Sequence, residues 1–373
     1  LHTKASKYKS GEKVEIGETA VCNLGSINLV NHIKEVYKKD GSLSKRSINF
    51  TELGETIRLA VRMLDNVIDL NFYPTQEAKK SNLRHRPVGL GLMGMHDVLH
   101  LLDIPFDSDD AVKVNDQIFE YYSYQAINAS SLLAKERGAY ESYIGSLWDQ
   151  NIFPIDSWSN LKRYRGEDPG DVGVNDREPI RKHVSEHGMR NSNVMAIAPT
   201  ATIGYINGVE QSIEPNFSVL FVYENKSGNF YITNEHFVKD MKAEGLWNTE
   251  TSALIKSVDG DLSLLNGDIP QRLKDKYKTA FDRDMFKLIE CNAARQKWMD
   301  QSISFNLYNK STSLKYLNDL YMACWEAGLK TTYYLRNRAA SKVEKSTEDD
   351  SPKDSSACSL EAMASGGSCE SCQ

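Results

Sequence analysis

Apolar side chains recur every three or four residues along "FTELGETIRLAVRMLDNVIDLN", where Leu53, Ile57, Ala60, Leu64 and Ile68 fall on one face. Glu52 and Glu55 sit where the positive end of a helix dipole favours anions, so the stretch predicts an amphipathic helix. A longer helix is predicted from Ser108, with Asp109 and Asp110 in its first turn, to a C-terminal cap at Gly138. Between and after these come continuous apolar runs of strand length: "NVMAIA" (193–198), "SVLFVY" (218–223) and "SISFNLY" (302–308). Near the end, "SLKYLNDLYMACWEAGLKTTYYLR" predicts a helix closed by Gly328, then a strand through Tyr333 and Tyr334. Helices alternating with buried strands give an α/β architecture with a largely parallel sheet or barrel.

The pattern stops at residue 341. "SKVEKSTEDDSPKDSSA" (341–357) holds five acidic and three basic residues, and Val343 is its only bulky apolar side chain. Such a segment buries too little surface to offset its ordering entropy. Two parts are therefore expected, a folded body over 1–340 and a flexible tail over 341–373 that carries Cys369 and Cys372.

Composition narrows the class. With 373 residues, 40% hydrophobic and 26% charged, the chain reads as a soluble globular protein. No apolar run approaches the roughly 18 residues of a membrane span, and the first twenty residues lack the apolar centre of a signal peptide, so a cytoplasmic location is expected. A net charge of −6 argues against general nucleic-acid binding, and "RHR" at 84–86 is too short to reverse that. Six cysteines in a chain of this size suggest a reducing compartment. A first residue of Leu1 suggests a fragment or one piece of a divided polypeptide.

Four features carry candidate chemistry. Gly89, Gly91 and Gly94 spell G-x-G-x-x-G, but the preceding "KKSNLRHRP" is polar and ends in proline, whereas a dinucleotide fingerprint needs a buried strand feeding the first glycine. Glycines that let a strand and a helix pack closely are the preferred reading, and an NAD-dependent oxidoreductase is the weaker alternative. In "NVMAIAPTATIGYINGVEQSIEP" an apolar strand runs into Pro199, Thr200, Ala201, Thr202, Ile203 and Gly204. Free N–H groups at such a turn, helped by threonine hydroxyls, can seat a phosphate; an ordinary strand-to-helix turn with a capping threonine fits equally well. Tyr333 and Tyr334, adjacent on a strand, should point to opposite faces and serve packing, although stacked phenols can also relay an electron coupled to a proton. Of the thiols, Cys291 and Cys324 read as small buried hydrophobes. Cys369 and Cys372 have nothing to pack against, which leaves redox exchange or metal binding. Zinc wants four ligands; Cys358 offers a third and no histidine is near, so redox exchange is preferred and no metal site is expected in this chain.

Taken in order, "TAVCNLGSINL", "RPVGLGLMG", "HGMRNSNVMAIAPTATIGYINGVEQSIEP", "KTTYYLRNR" and "CSLE" with the terminal C-x-x-C make the chain resemble the C-terminal portion of the large (alpha) subunit of class I ribonucleotide reductase. The resemblance implies a ten-stranded α/β barrel that reduces ribonucleoside diphosphates to deoxyribonucleoside diphosphates by radical chemistry. It makes Cys22 one of two cysteines that become a disulfide, and gives the substrate diphosphate to Pro199, Thr200, Ala201, Thr202 and Ile203, mainly through main-chain N–H groups. Many family members have a polar residue where this chain has Ile203. Tyr333 and Tyr334 match the pair that passes a radical from a separate metal-containing small subunit. Cys369 and Cys372 match the tail dithiol that re-reduces the buried disulfide and is itself reduced by thioredoxin or glutaredoxin. A tether of about 30 residues spans on the order of 30 Å, enough for that traffic.

No cofactor is expected in this chain. The resemblance puts the metal and radical in the small subunit, and the ATP and dNTP effector sites, the thiyl cysteine and the second redox cysteine in an N-terminal part that precedes Leu1. Activity is then expected only with that part and the radical subunit. The competing reading is a scaffold that keeps the barrel fold without chemistry.

Overall fold

The computed structural model describes residues 16–337, save 171, 174, 226, 227, 266 and 268 and the side chains of 221–231. The chain divides into Leu1–Arg338 and Ala339–Gln373, and every described element belongs to the first unit. Cys358, Cys369, Cys372 and the predicted tail lie outside the described residues.

The organising feature is a ladder of five parallel segments that stand side by side in chain order. The first strand, Asn23–Asn28, pairs with the second, Val88–Met93, with Asn23 opposite Val88 and Asn28 opposite Met93. A third segment, 193–197, continues outward: the Leu90 N–H donates to Val194 O at 2.9 Å and the Ala196 N–H to Leu90 O at 2.8 Å. Parallel bridges at Leu90–Met195 and Ile197–Ile303 carry the ladder into a fourth segment, 301–309. Its last part, Leu307–Asn309, pairs in parallel with the fifth, Leu335–Asn337. Parallel neighbours need long crossovers, and helices supply each one.

Those helices cover one face. Helix Phe50–Leu70 buries Leu53, Ile57, Val61 and Ile68 and starts at Asn49, whose side chain accepts from the Glu52 N–H. Helix Asp109–Arg137 starts at Ser108, whose hydroxyl accepts from the Ala111 N–H, and stops at Gly138 with φ 85°, as its caps predict. Val88, Leu90 and Leu92 join these helices in the main core. Each large side chain fully buried there contributes roughly 1.5–3 kcal/mol. The basic cluster at 84–86 is structural: Arg84 pairs with Glu18 at 2.8 Å, and Arg86 forks onto Asp65 and Asp69 at 2.9 and 2.8 Å. Asp65 also takes Arg137 and the Asn191 amide, so a single buried carboxylate ties the first helix to the second and third segments.

The run at 218–223 departs from the predicted parallel sheet. It feeds strand Leu220–Asn225, which forms an antiparallel hairpin with Gly228–Thr233, Asn225 opposite Gly228. A partner two residues away is reached before any parallel partner that needs a crossover. This region has its own smaller core, with Val219, Phe237, Met241, Leu273 and Tyr277 at its centre. Strands Ile33–Tyr37 and Leu43–Ile48 make a second hairpin. Among the described residues no helix is long and apolar enough to cross a membrane.

Candidate functional site

Side chains alternate across the ladder, and the alternation sorts its glycines. Gly25 faces the helices, where an added Cβ would lie 3.4 Å from Leu64 Cδ2. Gly89 and Gly91 face the other way. A Cβ on Gly89 would lie 2.5 Å from Leu24 Cδ2, 3.0 Å from Ala196 Cβ and 3.4 Å from Cys22 Sγ; one on Gly91 would lie 2.7 Å from Ala196 O and 2.9 Å from Ser26 Oγ. The expectation that these glycines let strand and helix pack closely is therefore corrected. Leu90 and Leu92 pack on the helices, while Gly89 and Gly91 keep the opposite, inner face shallow. Gly94, with φ 76°, opens the short helix Met95–Leu101. The two-residue spacing of Gly89 and Gly91 is itself the signal, because it puts both on one face of a strand.

Cys22 is half-buried on this inner face. Burial first, then the charge of Asp300, push its thiol up to about 11, so at neutral pH it is protonated. Cys291 and Cys324 are buried in the main core, as their helical positions predict.

The third segment leads from Ala196, which shares the Gly89 hollow with Cys22, into the turn at Pro199. Pro199 lies three positions beyond Ala196, roughly 10 Å along an extended chain. Thr200 adopts φ 51°, a left-handed conformation unusual for a β-branched residue, and helix Ala201–Asn207 begins there. Its hydroxyl does not cap that helix: Thr200 Oγ1 accepts from the Ser212 N–H at 2.7 Å and so ties the turn to the chain that returns beneath it. Pro199, Ala201, Thr202 and Ile203 are exposed, and the leading N–H groups of any helix have no intrahelical acceptor. The return chain is braced in turn: Asp97 Oδ2 accepts from the Glu210 N–H at 2.6 Å, and the Gly94 N–H donates to Glu210 O at 2.9 Å.

Tyr333 and Tyr334 do not point to opposite faces. They precede the fifth strand instead of lying within it, and their rings meet at a tilt of 48° with centroids 4.1 Å apart and hydroxyl oxygens 3.2 Å apart. Both are exposed by about half, and the contact with Tyr334 raises the Tyr333 phenol above its ordinary value. The Tyr334 N–H donates to Asn306 Oδ1 at 3.2 Å. Glu214 lies beneath, accepting from the Asn306 N–H at 3.2 Å and the Tyr308 hydroxyl at 2.9 Å, and burial pushes its carboxyl up to about 7. Nothing in the local sequence marks Glu214, since its partners are over 90 residues away.

Residues 3–335 match the family described as "Ribonucleotide reductase, barrel domain". The chain is 50% identical to the ribonucleoside-diphosphate reductase subunit alpha of Chlamydia pneumoniae over 335 residues, which is 89% of this chain and 31% of that protein. It is 37% identical to the large subunit of Plasmodium falciparum, over 89% of this chain and 39% of that one, and 37% identical to the large chain of Schizosaccharomyces pombe, over 94% and 40%. The chain thus spans between about a third and two fifths of the length of these relatives.

Proposed function

The chain belongs to the ribonucleotide reductase barrel-domain family, its five parallel segments being part of that α/β barrel, and from this we propose that it is the C-terminal part of a ribonucleoside-diphosphate reductase large subunit. The observation that carries the proposal is the shared hollow at Gly89. Cys22 Sγ and Ala196 Cβ both border it, and Ala196 leads within three residues to the turn at Pro199. A ribose resting on the shallow inner face could present its ring to Cys22 while its diphosphate reaches the N–H groups of Ala201, Thr202 and Ile203. Thr200 acts from behind, its oxygen already engaged by Ser212. Ile203 offers its main chain and no polar side chain.

In this reading the 2′-hydroxyl of the substrate leaves as water, and two thiols supply two electrons and two protons and become a disulfide. Cys22 is one of them; the other, and the thiyl cysteine, belong to the N-terminal part of the large subunit. The raised Cys22 thiol suits a group that delivers hydrogen. Tyr333 and Tyr334 pass the radical inward from a small subunit that holds the metal and radical cofactor, and their touching rings and hydrogen-bonded hydroxyls suit a short hop coupled to proton movement. Cys369 and Cys372 return the disulfide to thiols and are recharged by thioredoxin or glutaredoxin in the cytoplasm. The tail comprises 341–373, and effector nucleotides bind the N-terminal part.

Combining the chain with an N-terminal part and a radical subunit should give reduction of a ribonucleoside diphosphate. Cys22→Ser should abolish it, whereas Cys369→Ser with Cys372→Ser should stop turnover driven by a protein reductant but spare one round by prereduced enzyme. The scaffold reading predicts that Cys22→Ser changes nothing. For an NAD-dependent enzyme the glycines would have to face a cofactor at the strand-to-helix turn, yet Gly89 and Gly91 lie inside the strand.

A further inference from the structure

The main-chain bonds that hold Tyr333 and Tyr334 explain how two neighbours in sequence come to touch. Along a regular parallel pair, one residue donates its N–H to one position of the partner strand and accepts through its C=O from the position two further on. Opposite Asn306 that work is divided between two residues. The Tyr333 N–H donates to Phe305 O at 2.8 Å, whereas it is Tyr334 O that accepts from the Leu307 N–H, at 2.9 Å. Two residues thus stand where the ladder has room for one, which is a β-bulge, and from Leu307 opposite Leu335 onward the register is regular. Bulges re-aim side chains, and this one cancels the alternation that would send the two phenols to opposite faces.

The bulge has a cost at Tyr334. Its N–H has no place in the ladder, because Phe305 O is already taken by Tyr333. Asn306 supplies the missing acceptor: its Oδ1 takes the Tyr334 N–H at 3.2 Å. Asn306 is fixed from below in turn, since its own N–H donates to Glu214 Oε1 at 3.2 Å and the Tyr308 hydroxyl donates to Glu214 Oε2 at 2.9 Å. Asn306 and Glu214 are both buried, so water does not readily replace either partner.

We propose that Asn306 is the positioning residue of the tyrosine pair, its carboxamide closing the bulge and setting Tyr334 where its hydroxyl meets that of Tyr333. The inference rests on the reading of the pair as a radical path. A hop across the pair carries one electron and one proton from the intact phenol to the phenoxyl, so one O–H bond breaks as the other forms and nothing else is consumed. Such a step depends on placement, and a displacement of about 1 Å can cost on the order of a hundredfold in rate.

The test is nitration of the full chain by tetranitromethane across a range of pH, with Tyr333 and Tyr334 resolved by fragmenting the peptide that carries both. The reagent attacks the phenolate, and the contact with Tyr334 holds the Tyr333 phenol above its ordinary value. Asn306→Leu should therefore move the Tyr333 midpoint to lower pH. The substitution changes no charge, and Arg336, whose guanidinium carbon lies 5.2 Å from the Tyr334 ring centre, is present throughout. Should Asn306→Leu fail to fold, Asn306→Ser, which draws the acceptor back by about one bond length, decides in its place. In the reconstituted enzyme the same variant should lose roughly a hundredfold in kcat with KM for the ribonucleoside diphosphate unchanged. A chain that is merely looser would be nitrated faster at both tyrosines with midpoints unmoved, and that result overturns the proposal. So does undiminished kcat in a variant whose midpoint has moved. Wild-type turnover by Tyr334→Phe would instead overturn the radical-path reading and leave the nitration midpoints of the Asn306 variants as they are.

Discussion

Cys22 and Gly89 meet across the first two strands, with the sulfur 3.4 Å from the place a Gly89 side chain would occupy. The inner face owes its hollow to that missing side chain, and the hollow joins the thiol to the segment leading to the turn at Pro199.

Gly89→Ala should therefore hurt the site more than the fold. The new methyl would meet Leu24 at 2.5 Å and Ala196 at 3.0 Å. Leu24 is largely exposed and can swing away, so the loss of stability should be about 1 kcal/mol, at the low end for overpacking. Cys22 labelling should slow several-fold as the hollow fills. Thermal unfolding and thiol labelling on the same sample separate the two effects, and unaltered labelling would argue that Cys22 does not use the hollow.

Thr200→Val keeps the shape of the side chain and removes the acceptor of the Ser212 N–H. Leaving a buried donor unpaired costs about 1–3 kcal/mol. Binding of inorganic pyrophosphate to the chain should weaken as the turn loosens, which calorimetry can measure. A variant that loses stability and binds pyrophosphate as before would separate Thr200 from the turn's function.

Tyr334→Phe removes one of two hydroxyls 3.2 Å apart without touching the core, so stability should stay within about 0.5 kcal/mol of wild type. Reduction by the reconstituted enzyme should vanish. Turnover at the wild-type rate would exclude the phenol pair as a radical path.

Glu214 makes a prediction about pH. Its folded-state carboxyl is raised from the ordinary 4.5 to about 7, so the folded protein holds a proton that the unfolded chain has released, and its contribution to stability falls as pH rises through that interval. Glu214→Gln removes this titration. Relative to wild type, the variant should gain stability on going from mildly acidic to mildly alkaline buffer, by up to about 3 kcal/mol. His96 and His100, held neutral by burial, titrate alike in both proteins and cancel in the comparison. A constant difference between the two proteins across this range would mean that Glu214 is ionised throughout.

The long helices are legible in the sequence because their signals are local: Ser108, Asp109 and Gly138 announce both ends of one element within a turn of each. The third and fourth segments show as apolar runs, and Cys22 and the turn at Pro199 lie in recognisable motifs. What escapes is whatever depends on a distant partner. The hairpin at 220–233 competes with a parallel sheet that no local residue excludes. The tyrosine rings meet because they precede their strand by one or two residues, too fine a shift for periodicity to detect. Gly89 reveals its face only when Ala196 is packed beside it, and Asp300 carries no signal because the Val194 and Met195 N–H groups it accepts from are over 100 residues away.

Labelling of Cys22 in the complex with the N-terminal part is the most direct measurement of whether thiol and phosphate turn form one site. Saturating ribonucleoside diphosphate should shield Cys22 from iodoacetamide, and pyrophosphate, which fills the turn alone, should leave the thiol open while competing away the nucleotide's protection. Equal labelling with and without saturating nucleotide would contradict the account.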